Sequence, residues 1–249
     1  MLQGPALPPQ GRSWWPPTLQ LVMHPDERLA RLTRFVPRVV LEWDLDAPGR
    51  KWQDVEGSLV FLDISGFTNL SERLARRGRI GTEELTEVLA TVFGSMLDLS
   101  YARGGGLLKF GGDALLLLFL GDDHARQACA AAVEMRAALR EATKIPTSVG
   151  RVNLRMSVGV HSGTLHLFRV GRSHHELVIA GEGADLTARM ELLAGPGQVV
   201  VSKGTKLRLP TNATREMNDG GWLLRWRQHA AANDALVARR QVSSEVIAM

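Results

Sequence analysis

The run Gly104-Gly105-Gly106-Leu107-Leu108-Lys109-Phe110-Gly111-Gly112-Asp113, continued by the apolar segment Ala114 to Leu120, constrains this chain more than any other stretch. Its pattern predicts a β-hairpin. Leu107 to Phe110 forms one arm, Gly111-Gly112 a two-residue turn requiring positive φ, and Ala114 to Leu120 a buried arm. A carboxylate lies one residue past the turn, and an ammonium lies four residues before that carboxylate. Taken alone, the stretch fits either a site for charged chemistry or a surface hairpin with two solvated charges.

A second stretch separates these readings. Leu59-Val60-Phe61-Leu62 predicts a short apolar strand that runs into Asp63-Ile64-Ser65-Gly66-Phe67-Thr68, where a polar turn opens a helix from Asn69 to Arg77. An acid at the end of a buried strand, followed by a glycine turn and a helix N-terminus, suits a metal–phosphate site. The carboxylate takes a hard cation, and the free N–H groups of the first helical turn face the anion. If the two strands are neighbours, Asp63 and Asp113 can clamp a pair of Mg²⁺ ions, the arrangement used for displacement at phosphorus.

Phe61-Leu62-Asp63-Ile64-Ser65-Gly66-Phe67-Thr68 together with Leu108-Lys109-Phe110-Gly111-Gly112-Asp113 resembles the class III adenylate/guanylate cyclases, with the nearest likeness to the first catalytic repeat of soluble adenylyl cyclases. The likeness continues through Gly81-Thr82, Val158-Gly159-Val160-His161-Ser162-Gly163, and Val178-Ile179-Ala180-Gly181 leading to Ala188-Arg189-Met190, and covers roughly residues 55 to 203. It implies conversion of ATP to 3′,5′-cyclic AMP and pyrophosphate by two Mg²⁺ (or Mn²⁺) ions at a dimer interface. The dimer is a homodimer or a pairing with a complementary cyclase domain.

The family pattern also implies roles for residues. Asp63 and Asp113 match the two metal-binding aspartates, and Ile64 matches the residue whose backbone carbonyl completes a metal shell. Gly66, Phe67 and Thr68 match the phosphate turn. Lys109 matches the base-reading lysine of adenine-selective members, because a cation donates to a ring nitrogen and cannot serve guanine's N–H edge. Arg189 matches the arginine that stabilises the five-coordinate phosphorus. Two positions depart from the pattern. Val178 stands where an acceptor for the adenine amino group is expected, and Asp185 stands where an asparagine orients the ribose. Asp185 and Arg189 are spaced i, i+4 and are expected to pair with each other on a helix. The alternative reading is therefore a pseudo-cyclase, a nucleotide- or anion-binding regulatory subunit.

Around these motifs, the order of elements predicts an α+β fold, a ferredoxin-like β-α-β-β-α-β antiparallel sheet covered by helices. Thr82 is expected to cap a helix whose inward face is Leu85, Val88, Leu89, Val92, Phe93 and Met96. Asp122-Asp123 opens a second helix with Ala125, Ala128, Cys129, Ala132, Met135 and Leu139 inward. Val152 to Val158 reads as a strand, and Thr164 to Val170 is expected to fold back on it across Ser162-Gly163. Glu176 to Ala180, Glu182 to Leu193 and Gln198 to Val201 follow as strand, helix and strand, and Trp222 to Trp226 as one further strand.

At 249 residues and 45% hydrophobic, the chain suits one domain with tails. The expected boundaries are a Pro-rich leader over 1–20, an N-terminal helical or irregular segment over 21–55 with a helix near Leu29 to Val36, the cyclase domain over 56–205, and a C-terminal extension over 206–249. A net charge of +4, spread without a dense basic run, predicts no nucleic-acid arm. The single cysteine, Cys129, excludes a disulfide framework. The longest apolar run has seven residues, so no membrane span and a cytoplasmic protein are expected.

Overall fold

The computed structural model describes residues 35–46, 49–142, 146–151, 153–172 and 175–226. The leader over 1–20, all but the last two residues of the helix expected over Leu29 to Val36, and the tail beyond residue 226 lie outside them. The chain divides into two units, Met1–Pro37 and Arg38–Met249, and the sheet belongs to the second.

The sheet is built on two long strands, β1 (Trp52–Ser65) and β6 (Arg155–Val170), antiparallel over their whole overlap from Trp52↔Phe168 to Ser65↔Arg155. Between them in sequence come helices α2 (Phe67–Ala75) and α3 (Arg79–Ala102), the hairpin of β2 (Gly105–Gly111) and β3 (Ala114–Leu120), and helix α4 (His124–Ala142). The spatial order β2-β3-β1-β6, with every neighbour antiparallel, is the ferredoxin-like β-α-β-β-α-β arrangement. A small hairpin, β4 (Pro146–Thr147) with β5 (Gly150–Arg151), precedes β6. Past β6, strand β7 (Glu176–Ala180) pairs with its C-terminal half. Strand β8 (Val199–Val201) pairs in parallel with Val158–Val160 of β6, and β10 (Trp222–Leu224) and β9 (Thr214–Glu216) continue the sheet.

Alternation along the strands sorts side chains between the two faces. Val60, Leu62 and Ile64 of β1, with Leu115, Leu117, Val158 and Val160, form the main core under α2, α3 and α4. The expected inward residues of α4 are all buried, and burial pushes the Cys129 thiol up to about 12. The other face is also covered. Helix α5 (Glu182–Leu193) crosses β6 at Gly159, where any Cβ would come within 2.3 Å of the Thr187 carbonyl and the Glu191 amide. Helix α1 (Arg38–Asp46) sets Val39 against Leu59, Leu118 and Leu165 on that same face. The glycine is what allows backbone to lie on backbone there.

Three local expectations are corrected. β6 does not fold back at Ser162-Gly163 but runs on for 16 residues. β1 is long enough to pair with all of it, and the buried Ser162 hydroxyl is held by Ser58 at 2.6 Å and Thr205 at 2.9 Å, so a surface turn there would strand it. The hairpin turn is Gly112-Asp113 rather than Gly111-Gly112. Gly111 pairs with Ala114, and only Gly112 has positive φ (74°). Helix α3 starts at Arg79, so Thr82 lies inside the first turn and donates to the Gly78 carbonyl at 3.2 Å instead of capping. Among the described residues, no helix is long and apolar enough to cross a membrane.

Candidate active site

The last turns of β1 bring the two aspartates together. Asp63 stands opposite Ala114 of β3 on one side and Ser157 of β6 on the other, and the Ile64 amide donates to the Asp113 carbonyl at 3.2 Å. The hairpin tip is thereby fastened beside the end of β1 by the sheet's own backbone. Both carboxylates are half-buried. Burial, and after it the like charge of Asp113, push the Asp63 carboxyl above its ordinary value. Two half-buried oxygen donors with surplus negative charge are the chemistry that a hard divalent cation takes. Among the described residues there is no cluster of three or more His, Cys, Asp or Glu placed to hold a metal.

Glu191, on α5, is a carboxylate that the sequence reading missed. Burial first, then the charge of Asp63, raise its carboxyl above the ordinary range. No local pattern marks it. It reaches this region only because Gly159 lets α5 lie close on β6.

The turn after β1 is also set by backbone. Gly66 caps α2 at φ 92° with no side-chain hydrogen bond, so the first amides of the helix, those of Phe67 and Thr68, have no side-chain cap. The Phe67 ring meets Phe93 edge-on at 6.5 Å, and Phe93 meets Phe110 of the hairpin at 5.6 Å, tying turn, helix and hairpin together.

The residues expected to read base, ribose and phosphorus lie elsewhere and are all exposed. The Lys109 ammonium donates to the Glu176 carboxylate of β7 at 3.4 Å. Val178 pairs with Phe168, which pairs with Trp52, so the three share one exposed face of the sheet. Asp185 and Arg189 lie on α5, and the expected pair between them does not form. Neither side chain has a hydrogen bond or ion pair among the described residues, and the guanidinium instead reaches to 3.9 Å from where a Cβ on Gly220 would stand. An exposed i, i+4 pair is worth only about 0.3–0.5 kcal/mol, too little to hold a long side chain back.

Residues 51–228 match the model of the adenylate and guanylate cyclase catalytic domain. The chain belongs to this family. The cyclase domain is 22% identical over 181 residues to adenylate cyclase type 10 of Oryctolagus cuniculus, which covers 71% of this chain and 11% of the relative. It is 28% identical over 165 residues to adenylate cyclase 2 of Rhizobium meliloti (strain 1021), covering 64% of this chain and 44% of that one. The chain thus spans about a tenth of the length of the type 10 relatives. Among solved structures, the guanylyl cyclase Cya2 superposes with a TM-score of 0.59 at 25% identity, covering 73% of this chain and 97% of that one. A bacterial light-regulated adenylyl cyclase shares the fold with a TM-score of 0.66 at 16% identity, covering 90% of this chain and 68% of that one. Both adenylate- and guanylate-specific proteins therefore resemble the cyclase domain, and likeness alone does not choose its nucleotide.

Proposed function

We propose that this chain is an adenylate cyclase domain that converts ATP to 3′,5′-cyclic AMP and pyrophosphate, with each site completed by a second cyclase domain, of its own kind or complementary. The observation that carries the reading is the juxtaposition of Asp63 and Asp113 beside the Gly66 turn, with their charges repelling. Asp63, Asp113 and the Ile64 carbonyl would hold two Mg²⁺ or Mn²⁺ ions. When bound, such ions make the ribose 3′-hydroxyl more acidic and neutralise charge on the leaving phosphates.

The protein's own groups do the rest. The Gly66, Phe67 and Thr68 amides receive phosphate oxygens at the positive end of α2. Lys109 donates to the adenine ring nitrogen. Its ion pair with Glu176 is exposed on both sides and opens at little cost. Two residues before Val178 on β7, Glu176 places a carboxylate, an acceptor, on the same side of the strand. Asp185 faces the ribose, and Arg189 offers its guanidinium to charge developing on phosphorus. Because Lys109, Val178, Asp185 and Arg189 are exposed, the site between two domains is where they gain partners. A cytoplasmic location fits this chemistry, since ATP is the substrate.

Incubating the purified chain with ATP and Mn²⁺ tests the reading, with GTP as control. Cyclic AMP that disappears in Asp113→Ala is expected, and no cyclic nucleotide from any domain combination overturns it. The pseudo-cyclase alternative rests on Val178 and Asp185. Tight metal–ATP binding without product would establish it.

A further inference from the structure

The hairpin of β2 and β3 turns two neighbouring side chains to opposite faces of the sheet. Its register shifts between Leu107 and Lys109, a β-bulge, after which Lys109 stands opposite Leu116 and Phe110 opposite Leu115. Residues directly opposite each other on paired strands share a face. Leu115 belongs to the main core under the helices, and Leu116 packs against the Leu59–Leu118–Leu165 cluster on the other face. Phe110 therefore turns towards α3, while Lys109 turns away from it. Only Gly111 and Gly112 separate Phe110 from Asp113, so this ring is the last apolar side chain before the hairpin tip. Although exposed, it has a fixed neighbour: it meets Phe93 of α3 at 5.6 Å with the ring planes 80° apart. Phe93, itself buried, meets Phe67 at 6.5 Å and 65°. Among the described residues Phe67 and Phe110 make no ring contact with each other, so Phe93 is their shared partner.

We infer that Phe93 is a positioning residue, whose ring sets the separation between the Gly66 turn and the hairpin tip that carries Asp113. The role rests on the cyclase reading for the identity of the ligand that spans the two, a metal-bound polyphosphate. Backbone fixes each part by itself. The Ile64 amide fastens Asp113 to the end of β1, and the Asn153 carbonyl lies so close to the turn that a Cβ on Gly66 would meet it at 2.6 Å. The rings join the two parts to each other: Phe67 is the first residue of α2, next to Gly66, and Phe110 is next to the glycines of the tip. A ligand held by the aspartates at one end and by the turn amides at the other is sensitive to that separation. An edge-to-face ring pair is worth about two- to tenfold in an equilibrium, so losing one is measurable in binding.

Calorimetric titration of the full chain with Mn²⁺ and 3′-deoxy-ATP, a nucleotide without the attacking hydroxyl, tests the role without turnover. Phe110→Leu and Phe67→Leu should each weaken binding about two- to tenfold. Because both act through one ring, the double variant should weaken it by clearly less than the product of the two, and in Phe93→Leu neither change should have a further effect. Phe110→Tyr, which keeps the ring at an exposed position, should bind as the wild type does. The exposed Phe110 variants and the double variant decide the matter even if Phe93→Leu does not fold. Effects that multiply, in a chain that still makes cyclic AMP, would overturn the positioning role alone. So would wild-type binding by Phe110→Leu, or a loss that follows a change in its sedimentation, which would make Phe110 an interface residue instead. A wild type that binds the complex with coupled ring effects but makes no cyclic nucleotide from ATP would end the cyclase reading and leave the role standing. A wild type that does not bind it overturns the role.

Discussion

The two groups of residues proposed to make up the site are built by different means. Asp63, Ile64 and Asp113 are placed by paired strands in the middle of the sheet, and the Ile64 amide and Asp113 carbonyl are bonded to each other. Lys109, Val178, Asp185 and Arg189 are placed by a strand edge and the solvent side of a helix, and among the described residues no second layer covers them. The first half has its geometry before any ligand arrives. The second presents side chains on a surface, as a chain does when another molecule completes the site. What divides them is the source of order: backbone hydrogen bonds in one, and contacts still to be made in the other.

The sharpest way to break this comparison is to remove one carboxylate. Asp113→Ala should lower cyclic AMP formation by about a thousandfold or more, the scale of Lewis-acid stabilisation worth several kcal/mol, with the fold unchanged by circular dichroism. Retention of more than a tenth of the activity would mean that the backbone-built half is not the metal half. Next in size, Arg189→Ala should cost about 10²–10³-fold in turnover, the effect of losing one preorganised donor to developing charge. If the halves of one site come from different chains, mixing Asp113→Ala with Arg189→Ala must restore activity, because a mixed dimer holds one intact site. No recovery on mixing would place both halves of a site in one chain.

A smaller and opposite effect is expected at Asp185. An ionised aspartate only accepts hydrogen bonds and adds a negative charge near a polyphosphate. Asp185→Asn should therefore raise turnover by several-fold, measured as kcat on ATP with KM followed separately. Since Asp185 does not hold Arg189, the gain cannot be ascribed to a freed guanidinium. A fall in activity would show that the acid is used as it stands.

The same division explains what could be read from the chain without a structure. Asp63 and Asp113 were legible because each lies beside a glycine turn at the end of a strand, and contiguous residues report such junctions. The inward faces of α3 and α4 were legible for the same local reason, since periodicity within one helix needs no knowledge of its neighbours. The run through Ser162-Gly163 was misread because Ser-Gly resembles a turn until the length of the opposing strand is known. The start of α3 was misplaced because Gly81 meets the Leu74 carbonyl, a contact set by the approach of α2. Glu191 and Glu176 depend on α5 crossing β6 and on a strand edge. Neither is written in any short window.

The finest test of the comparison concerns stability, where the backbone-built half should reveal its stored repulsion. Asp63 has a folded-state pKa raised above its unfolded value, by burial and then by Asp113. A group of that kind contributes stability that is fully present below the unfolded pKa and is lost as pH rises through the folded one. At neutral pH without metal, an ionised Asp63 therefore weighs against folding, and Asp63→Asn removes both its own charge and the repulsion it exerts on Glu191. The metal-free Asp63→Asn protein should melt above the wild type at pH 7, by at most about 2–4 °C for a domain of this size. The advantage should shrink as the pH is taken down towards 4, where the wild-type carboxyl regains its proton. Mg²⁺ should raise the wild-type melting temperature more than the variant's. A variant less stable than wild type at pH 7 without metal would mean that Asp63 is held by favourable contacts, and that the end of β1 carries no strain for a cation to relieve.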